Sequence, residues 1–324
     1  MALSLGAPNT HALRDPGWAR DVIRHYYAQQ LDLHTDVVAY AADLALRALA
    51  SAPDGIPHHM VISVLFRQAI AAADAAGELL RWGAVDQAHL QMRALIEARW
   101  GLIYALRDPD KWGRYIYVSS LRQNRYRARR WIVGTPEYKA AEYERELRAK
   151  YGSTDNPVEG SATAQQLADG IDEILRRPDY VAVSDSRNSF YASRGYEAPW
   201  YFDGTVPSNK QITSIRKLAQ SVGALGEYDS VYSYASDHTH GGYTGTHLAF
   251  DDMGAYVAHV RTPEGLRQTL ILSFSLISDC CRRAIEQWRP GESERFVRTY
   301  VEKWRELLRQ CPEVVVERSR AANR

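Results

Sequence analysis

Two long helical patterns separated by a single glycine constrain this sequence more than any other feature. Alanine, leucine and isoleucine recur at helical spacing from His58 to Trp82 and again from Gly83 to Leu106. The break at Gly83 leaves room only for a tight turn, and helices joined so closely pack as antiparallel neighbours. The sequence therefore predicts an antiparallel helical hairpin over residues 58–106 at the centre of the fold.

Helical periodicity continues through most of the remaining chain. Asp15-Pro16 is a favourable helix start, because an N-cap acceptor precedes a proline at the first helical position. That helix is expected to end near Ala50, before the SAPDGIP stretch. Further helices are expected over 112–131, 137–150, 208–222, 227–238, 263–288 and 292–310, with a short hairpin or a loop over 248–262.

Residues 151–207 differ from the rest in composition. They are rich in glycine, serine, asparagine, aspartate and proline, with aromatic side chains collected over 190–204, and only 168–177 has a helical pattern. The aromatic groups could form a lid over a pocket or pack the insertion onto the helices. We predict a mostly α protein, an irregular helical bundle built on the hairpin with this long aromatic-rich insertion. It is expected to be one domain, with its core at 15–150 and 208–310 and a frayed tail at 313–324.

Charge and cysteine content restrict the classes of protein to which the chain can belong. Forty basic and 39 acidic side chains give a net charge of +1, so no global field favours nucleic acid or an anionic membrane. The three cysteines, Cys280, Cys281 and Cys311, form no zinc-type spacing and no disulfide framework. No secretory signal and no apolar run of about 20 residues is evident. We expect a cytoplasmic protein that does not enter the membrane.

Polar side chains of the predicted hairpin fall on shared helix faces. Asp74 and Glu78 lie four residues apart before the glycine, and His89, Arg93 and Glu97 follow at the same spacing after it. Folding the chain back at the glycine predicts Glu78 opposite His89 and Asp74 opposite Arg93. Such a set could form a metal site, an acid/base pair or an ion-pair network.

A second polar segment, YSYASDHTHGGYTGTH at 232–247, contains three histidines. The adjacent glycines predict that a helix ends near His240. The only motifs near the Glu-x-x-His of di-metal bundles are DQAH at 86–89 and DHTH at 237–240. We therefore expect no metal ligands and no cofactor.

A basic run, RQNRYRARR at 122–130, is the main argument for nucleic acid as a partner. It could contact phosphates, or it could be the solvated face of a helix. The arginines concerned are Arg122, Arg125, Arg127, Arg129 and Arg130.

Several of these polar residues occur in a recognisable order. HLQMRALIEARWGLIYALRDPDKWGRYI at 89–116 is followed by APWYFDG, IRKLAQSVG and EYDSVYSYASDHTHGG. This order resembles a bacterial all-helical domain family of unknown function, whose members carry an Arg-x-x-x-Glu helix, an Asp-Pro and a late Tyr-x-x-x-Tyr-x-x-x-Ser-x-x-x-His-Gly segment. The resemblance covers roughly residues 55–245 and departs at His238-Thr239, where an aromatic residue or valine is more usual. The resemblance implies the all-helical fold of the family. The residues of this sequence that match the family's motifs are Arg93, Glu97, Tyr228, Tyr232, Ser236 and His240.

These residues predict a polar pocket between the hairpin and the helix over 225–240. Tyr232, Ser236 and His240 follow one another at four-residue spacing and therefore share one helix face. In an enzyme, His240 would be the general acid/base, Glu97 would orient or charge it, and Arg93 would hold an anionic group. The supporting residues are His89, Glu78, Asp74 and Tyr228.

Three functions remain open at this stage. The first is a metal-independent hydrolase or ribonuclease that acts on a phosphoester, and the second is a non-catalytic helical module that binds a ligand or a partner. The third is a metal-dependent helical-bundle oxidase. The oligomeric state does not follow from the sequence.

Overall fold

The computed structural model describes residues 2–6, 16–151, 161–233, 248–251, 254–257 and 260–317. These residues are predominantly helical, which confirms the predicted mostly α class. The chain forms two compact units. The first comprises Met1–Asp54, Val61–Arg107 and Leu218–Arg324, and the second comprises Gly55–Met60 and Asp108–Lys217. The organisation as a single folding domain stays a prediction.

Fourteen α-helices lie within the described residues. They are α1 (Pro16–Ser51), α2 (Ile56–Met60), α3 (Arg67–Arg81), α4 (Val85–Ala105), α5 (Pro109–Arg129), α6 (Pro136–Ala140), α7 (Glu142–Tyr151), α8 (Ser161–Leu175), α9 (Pro178–Arg194), α10 (Ile215–Ser221), α11 (Leu225–Glu227), α12 (Leu266–Trp288), α13 (Ser293–Thr299) and α14 (Arg305–Arg309). Three π-helical turns cover Val61–Phe66, Tyr228–Tyr232 and Tyr300–Trp304, and 3-10 turns cover Ser208–Lys210 and Pro290–Glu292. The strands are β1 (Ala2–Gly6), β2 (Leu248–Asp251), β3 (Gly254–Val257) and β4 (Glu313–Glu317).

The predicted hairpin is present in the first unit as α3 and α4. Gly83 makes the turn with φ +69°, a conformation that strongly favours glycine. The turn closes through backbone bonds from Gly83 N to the Leu80 carbonyl at 3.0 Å and from Ala84 N to the Leu79 carbonyl at 2.9 Å. The sequence prediction of an αα-hairpin broken at this glycine is therefore confirmed.

Small side chains allow α3 to pack closely within the first unit. Ala69, Ala73, Ala76 and Gly77 are buried along one face of α3. A β-carbon on Gly77 would lie 2.7 Å from Nδ1 of His34 on α1, so the glycine provides space for a buried imidazole. The Nε2 atom of His34 lies 2.9 Å from Oγ of Ser273 on α12, so the buried imidazole has a hydrogen-bond partner in the core.

A parallel β-pair corrects one expectation for the first unit. Ala2–Gly6 pairs in register with Glu313–Glu317, although residues 313–324 were predicted as a frayed tail. The run of β-branched valines in EVVVE is the signal, and burial of Val314 in the core supplies the energy for ordering. Residues 318–324 lie outside the described residues. The possible hairpin over 248–262 is present as the antiparallel pair β2–β3.

The second unit contains α2, α5 to α9 and the segment up to residue 217. Its helices α2 and α5 approach closely, because a β-carbon on Gly113 would lie 2.1 Å from the Pro57 carbonyl oxygen. Only one helix was predicted between 151 and 207, so the prediction is wrong for α9. Pro178 at its start and Gly195 at its left-handed C-cap were the sequence signals.

The aromatic side chains of the insertion pack within the second unit. The Phe190 and Phe202 rings lie 4.6 Å apart, and the Trp112 and Trp200 rings meet edge-on at 6.3 Å. Beneath them, Arg187 is 1% exposed and donates to the Ala198 and Pro199 carbonyls. Burial lowers the pKa of Arg187 to about 10. Packing, the second of the two interpretations, is therefore observed for these rings.

The helix predicted over 208–222 is wrong in its first half. After the 3-10 turn at Ser208–Lys210, helix α10 starts at Ile215. The Ser214 hydroxyl accepts from the Lys217 amide at 3.3 Å, so this serine, and not Ser208, caps the helix.

One helical stretch among the described residues, Ile56–Arg81, is long and apolar enough to cross a membrane. Half of its most apolar window is buried inside the protein. Core helices of soluble proteins share this property, so the stretch is weak evidence for a membrane span.

Candidate functional site

The candidate site lies in the first unit, where α4 meets the turn that ends at Tyr232. Arg93 and Glu97 are one helical turn apart, and Nε of Arg93 donates to Oε1 of Glu97 at 3.1 Å. The Tyr232 hydroxyl, 135 residues later in the chain, donates to the same oxygen at 2.7 Å. Two donors from separate elements thus converge on one carboxylate oxygen.

Aromatic rings surround this polar group on one side. The guanidinium carbon of Arg93 lies 4.8 Å from the centroid of the Tyr232 ring. Tyr228 stacks on Tyr232 at 5.0 Å and 20°, and the Trp100 ring lies 5.5 Å from Tyr232. Tyr232 is only 3% exposed as a result. These stacked rings fix the position of the hydroxyl that binds Glu97.

A charged network next to the site was not predicted from the sequence. Arg99 on α4 donates from Nε to Asp279 Oδ2 on α12 at 2.7 Å, and from Nη1 to both Glu227 oxygens at 3.0 and 3.2 Å. The Trp100 indole N–H also donates to Glu227. Glu227 directly precedes Tyr228, so this network anchors the start of the tyrosine-bearing turn against α4 and α12.

The site environment raises the pKa values of both groups that donate to Glu97. Burial raises the pKa of the Tyr232 hydroxyl, and its hydrogen bond to Glu97 raises it further, so it stays a proton donor at neutral pH. Burial alone would lower the pKa of Arg93, but its hydrogen bond to Glu97 and the neighbouring charges raise it overall.

Asp279 is a firm anion within the network. Burial would raise its pKa, but hydrogen bonds from Arg282 and Arg283 and the charge of Arg99 lower it to about 2. Asp279 therefore contributes a full negative charge to the anchoring network over the neutral pH range.

For Glu78 and His89, which were predicted to lie opposite each other, the structure shows contacts with other residues. Glu78 pairs with Arg81 of its own helix at 3.6 Å, and His89 Nε2 lies 3.2 Å from Oγ1 of Thr269 on α12. Asp74 is exposed. Helices α3 and α4 meet through the alanine-rich face of α3, so its charged residues point to solvent. The predicted pairs were placed by equal distance in sequence from Gly83, and that distance does not determine the direction in which the side chains point.

The structure thus brings together four of the predicted residues: Arg93, Glu97, Tyr228 and Tyr232. Ser236 and His240, the other two catalytic candidates, lie outside the described residues, as do His238 and His247. Their assignment therefore rests on sequence spacing.

Most of the basic run is ion-paired inside the second unit. The pairs are Arg122–Glu197 at 2.8 Å, Arg125–Asp172 at 2.6 Å, Arg129–Glu137 at 2.9 Å and Arg130–Glu144. Within the described residues, Arg127 alone of the five makes no ion pair. The interaction with nucleic acid proposed for these arginines would therefore have to compete with acidic partners.

The described residues contain no group of three histidine, cysteine, aspartate or glutamate side chains that could hold a metal ion. Within these residues, the metal-dependent oxidase lacks a set of protein ligands.

Comparison with known proteins gives a family but no activity. No curated protein and no solved structure matches the chain. Residues 59–255 match the family model described as a family of unknown function, DUF5677, and this span contains the α3–α4 hairpin and the turn ending at Tyr232. Because the match covers more than half of the 324 residues, the chain belongs to this family of unknown function, DUF5677.

Proposed function

We propose that the cluster of Arg93, Glu97 and Tyr232 is a site that binds an anionic group and hydrolyses a phosphoester, RNA included, without a metal ion. The observation that carries the proposal is the convergence of the Arg93 guanidinium and the Tyr232 hydroxyl on Glu97 Oε1. Glu97 is about one-third exposed, so the cluster is partly open to solvent. A half-buried cation, carboxylate and hydroxyl in contact are typical components of hydrolytic sites.

Each residue has a role that follows from its chemistry. Arg93 provides a permanently charged, forked donor, which suits a phosphate oxygen. Tyr232 remains protonated, and its single O–H donates to Glu97 and holds that carboxylate in place. Glu97 is held by these two donors, which leaves its second oxygen to accept from a histidine N–H.

His240 completes the proposed mechanism as general acid and base. It follows Tyr232 by eight residues, with Ser236 between them, and this spacing is the sole basis for including both. In RNA cleavage, the imidazole takes the proton of the 2′-hydroxyl, the 2′-oxygen bonds to phosphorus to form a 2′,3′-cyclic phosphate, and the imidazolium returns the proton to the departing 5′-oxygen. For the cyclic phosphate, or for a diester without a 2′-hydroxyl, the imidazole takes the proton of the attacking water instead and returns it to the departing oxygen. Histidine suits both transfers because its pKa lies near neutrality.

The proposal is tested with the full chain on two substrates, a fluorogenic single-stranded RNA and a nitrophenyl phosphodiester. We expect His240→Ala and Glu97→Gln each to lower kcat about 100-fold or more. His247→Ala is the matched control, since it removes a histidine of the same segment that the mechanism does not use. Wild-type turnover that persists unchanged in His240→Ala would overturn the mechanism.

A non-catalytic binding module is the second candidate. The observation in its favour is that Arg93 and Tyr232 already satisfy Glu97, as in a structural ion-pair cluster. This function predicts that the wild-type chain hydrolyses neither substrate, while Glu97→Gln lowers the free energy of unfolding. Measurable turnover by the wild-type chain would exclude it.

A further inference from the structure

The second unit contains a cavity that the proposed site does not use. Its volume is about 580 Å³, and it lies between the C-terminal half of α5, the start of α7 and α8. Its lining residues come from these three helices and the turns beside them. Ligand pockets commonly measure roughly 300–1,000 Å³, so the cavity is large enough for a small molecule.

The lining divides into an apolar floor and a cationic wall. Apolar side chains such as Leu121, Trp131 and Ile171 form the floor, and Ile171 is 4% exposed. Three guanidinium groups line the same cavity with a single carboxylate. They are Arg127, Arg130 and Arg145, and the carboxylate is Glu144.

The three arginines are held in different ways. Arg130 pairs with Glu144, yet its Nε is buried and has no hydrogen-bond partner in the described structure. Arg145 lies over the Tyr138 ring at 3.5 Å and donates to the Arg130 carbonyl at 3.1 Å. Arg127 is exposed and forms no ion pair with any described residue. Three guanidinium groups against one carboxylate give the lining an excess of positive charge, which favours an anion in the cavity.

We propose that this cavity binds a small amphipathic anion, with a carboxylate or phosphate headgroup on the arginine wall and an apolar body on the floor. The positive charge of the lining favours a negatively charged ligand, and the apolar floor buries the apolar part of that ligand away from water. A nucleic acid fits less well, because the neighbouring Arg122, Arg125 and Arg129 are paired with acidic side chains. The proposal does not depend on the function proposed for the first unit.

The test measures displacement of anilinonaphthalene sulfonate from the full chain, with isothermal titration calorimetry for stoichiometry. The probes are laurate, dodecyl phosphate and the neutral dodecanol, all below their aggregation concentrations. We expect one anionic ligand to bind per chain, and dodecanol to bind at least about tenfold more weakly. The proposal is supported whether laurate or dodecyl phosphate binds more tightly, and the anion with the higher affinity identifies the preferred headgroup.

Variants separate the cavity from adventitious binding. Arg127→Gln and Arg145→Gln should each weaken laurate several-fold, and Leu167→Trp, which places a large ring at the half-exposed wall, should block it. Glu144→Gln should tighten binding, because it removes the one negative charge of the lining, and a gain cannot come from misfolding. Arg176→Gln is the matched control, an exposed arginine of the same unit outside the cavity.

Any of the following results would overturn the proposal: dodecanol binding as tightly as laurate, Leu167→Trp leaving laurate binding unchanged, or Glu144→Gln weakening laurate binding. Displacement of laurate by a single-stranded RNA oligonucleotide at equal concentration would also overturn it, in favour of a nucleic-acid surface.

Discussion

Substitution of Arg99 by methionine tests whether the charged network anchors the candidate site. Methionine keeps the unbranched stem but removes the donors that bind Asp279 and both oxygens of Glu227. The three side chains are about one-fifth exposed, so solvent screens them only partly. Loss of a partner from a buried ion pair costs about 3–5 kcal/mol.

Two features of the structure reduce this figure. Asp279 keeps its bonds to Arg282 and Arg283, and Glu227 keeps the Trp100 indole N–H. We therefore expect Arg99→Met to lower the free energy of unfolding by about 2 kcal/mol, with hydrogen exchange accelerated at the backbone amides of 228–232.

Urea denaturation followed by circular dichroism provides the measurement, in a double-mutant cycle with Glu227→Gln. The coupling energy between the two positions should be about 1–2 kcal/mol. Arg298→Met is the control, because its ion pair with Glu294 is 62% and 87% exposed and should contribute less than about 1 kcal/mol. The anchoring role would be refuted if Arg99→Met lowers the free energy of unfolding no more than Arg298→Met does, or if the coupling energy is near zero.

Three further predictions follow from individual contacts. Burial, followed by the charge of a nearby arginine, lowers the pKa of His34 to about 4, so stability present above about pH 6.5 should decline by about 3 kcal/mol as pH falls to 4. His34→Gln should flatten this part of the stability-versus-pH curve, and an unchanged slope would contradict the burial. Tyr232→Phe keeps the ring but loses the bond to Glu97, and should cost about 1 kcal/mol in urea denaturation because solvent reaches the carboxylate. Gly113→Ala should destabilise the second unit by at least about 1–3 kcal/mol, since a β-carbon 2.1 Å from the Pro57 oxygen outweighs the better helix propensity of alanine. Unchanged or higher stability of this variant in thermal unfolding would show that α2 does not approach α5 so closely.

Much of the fold was predictable because helix signals are local. The pattern on either side of Gly83 and the start at Asp15-Pro16 defined helices that the structure contains. The failures came where a local signal was weak or where the energy came from distant residues. Helix α9 buries an arginine within its apolar stripe, which obscures the periodicity, and β4 is ordered by pairing with a strand about 310 residues earlier.

The candidate site was predictable only in part, for a related reason. A shared helix face placed Arg93 beside Glu97, and the family pattern brought Tyr228 and Tyr232 into consideration. Side-chain direction across two packed helices does not follow from residue counting, and the contacts of Glu78 with Arg81 and of His89 with Thr269 were not predicted.

The sequence by itself determined the helical class, the hairpin turn and the residue types available for chemistry, because periodicity, glycine conformation and the functional groups of the side chains are properties of short segments. The tertiary structure alone decided which charges from distant parts of the chain meet. Arg99, Glu227 and Asp279 come from three separate stretches of chain, and the arginines of the basic run are mostly neutralised by acids as far as 75 residues away. Coulomb attraction weakens with the distance between two charges, and that distance is set by the packing of the chain and not by position in the sequence.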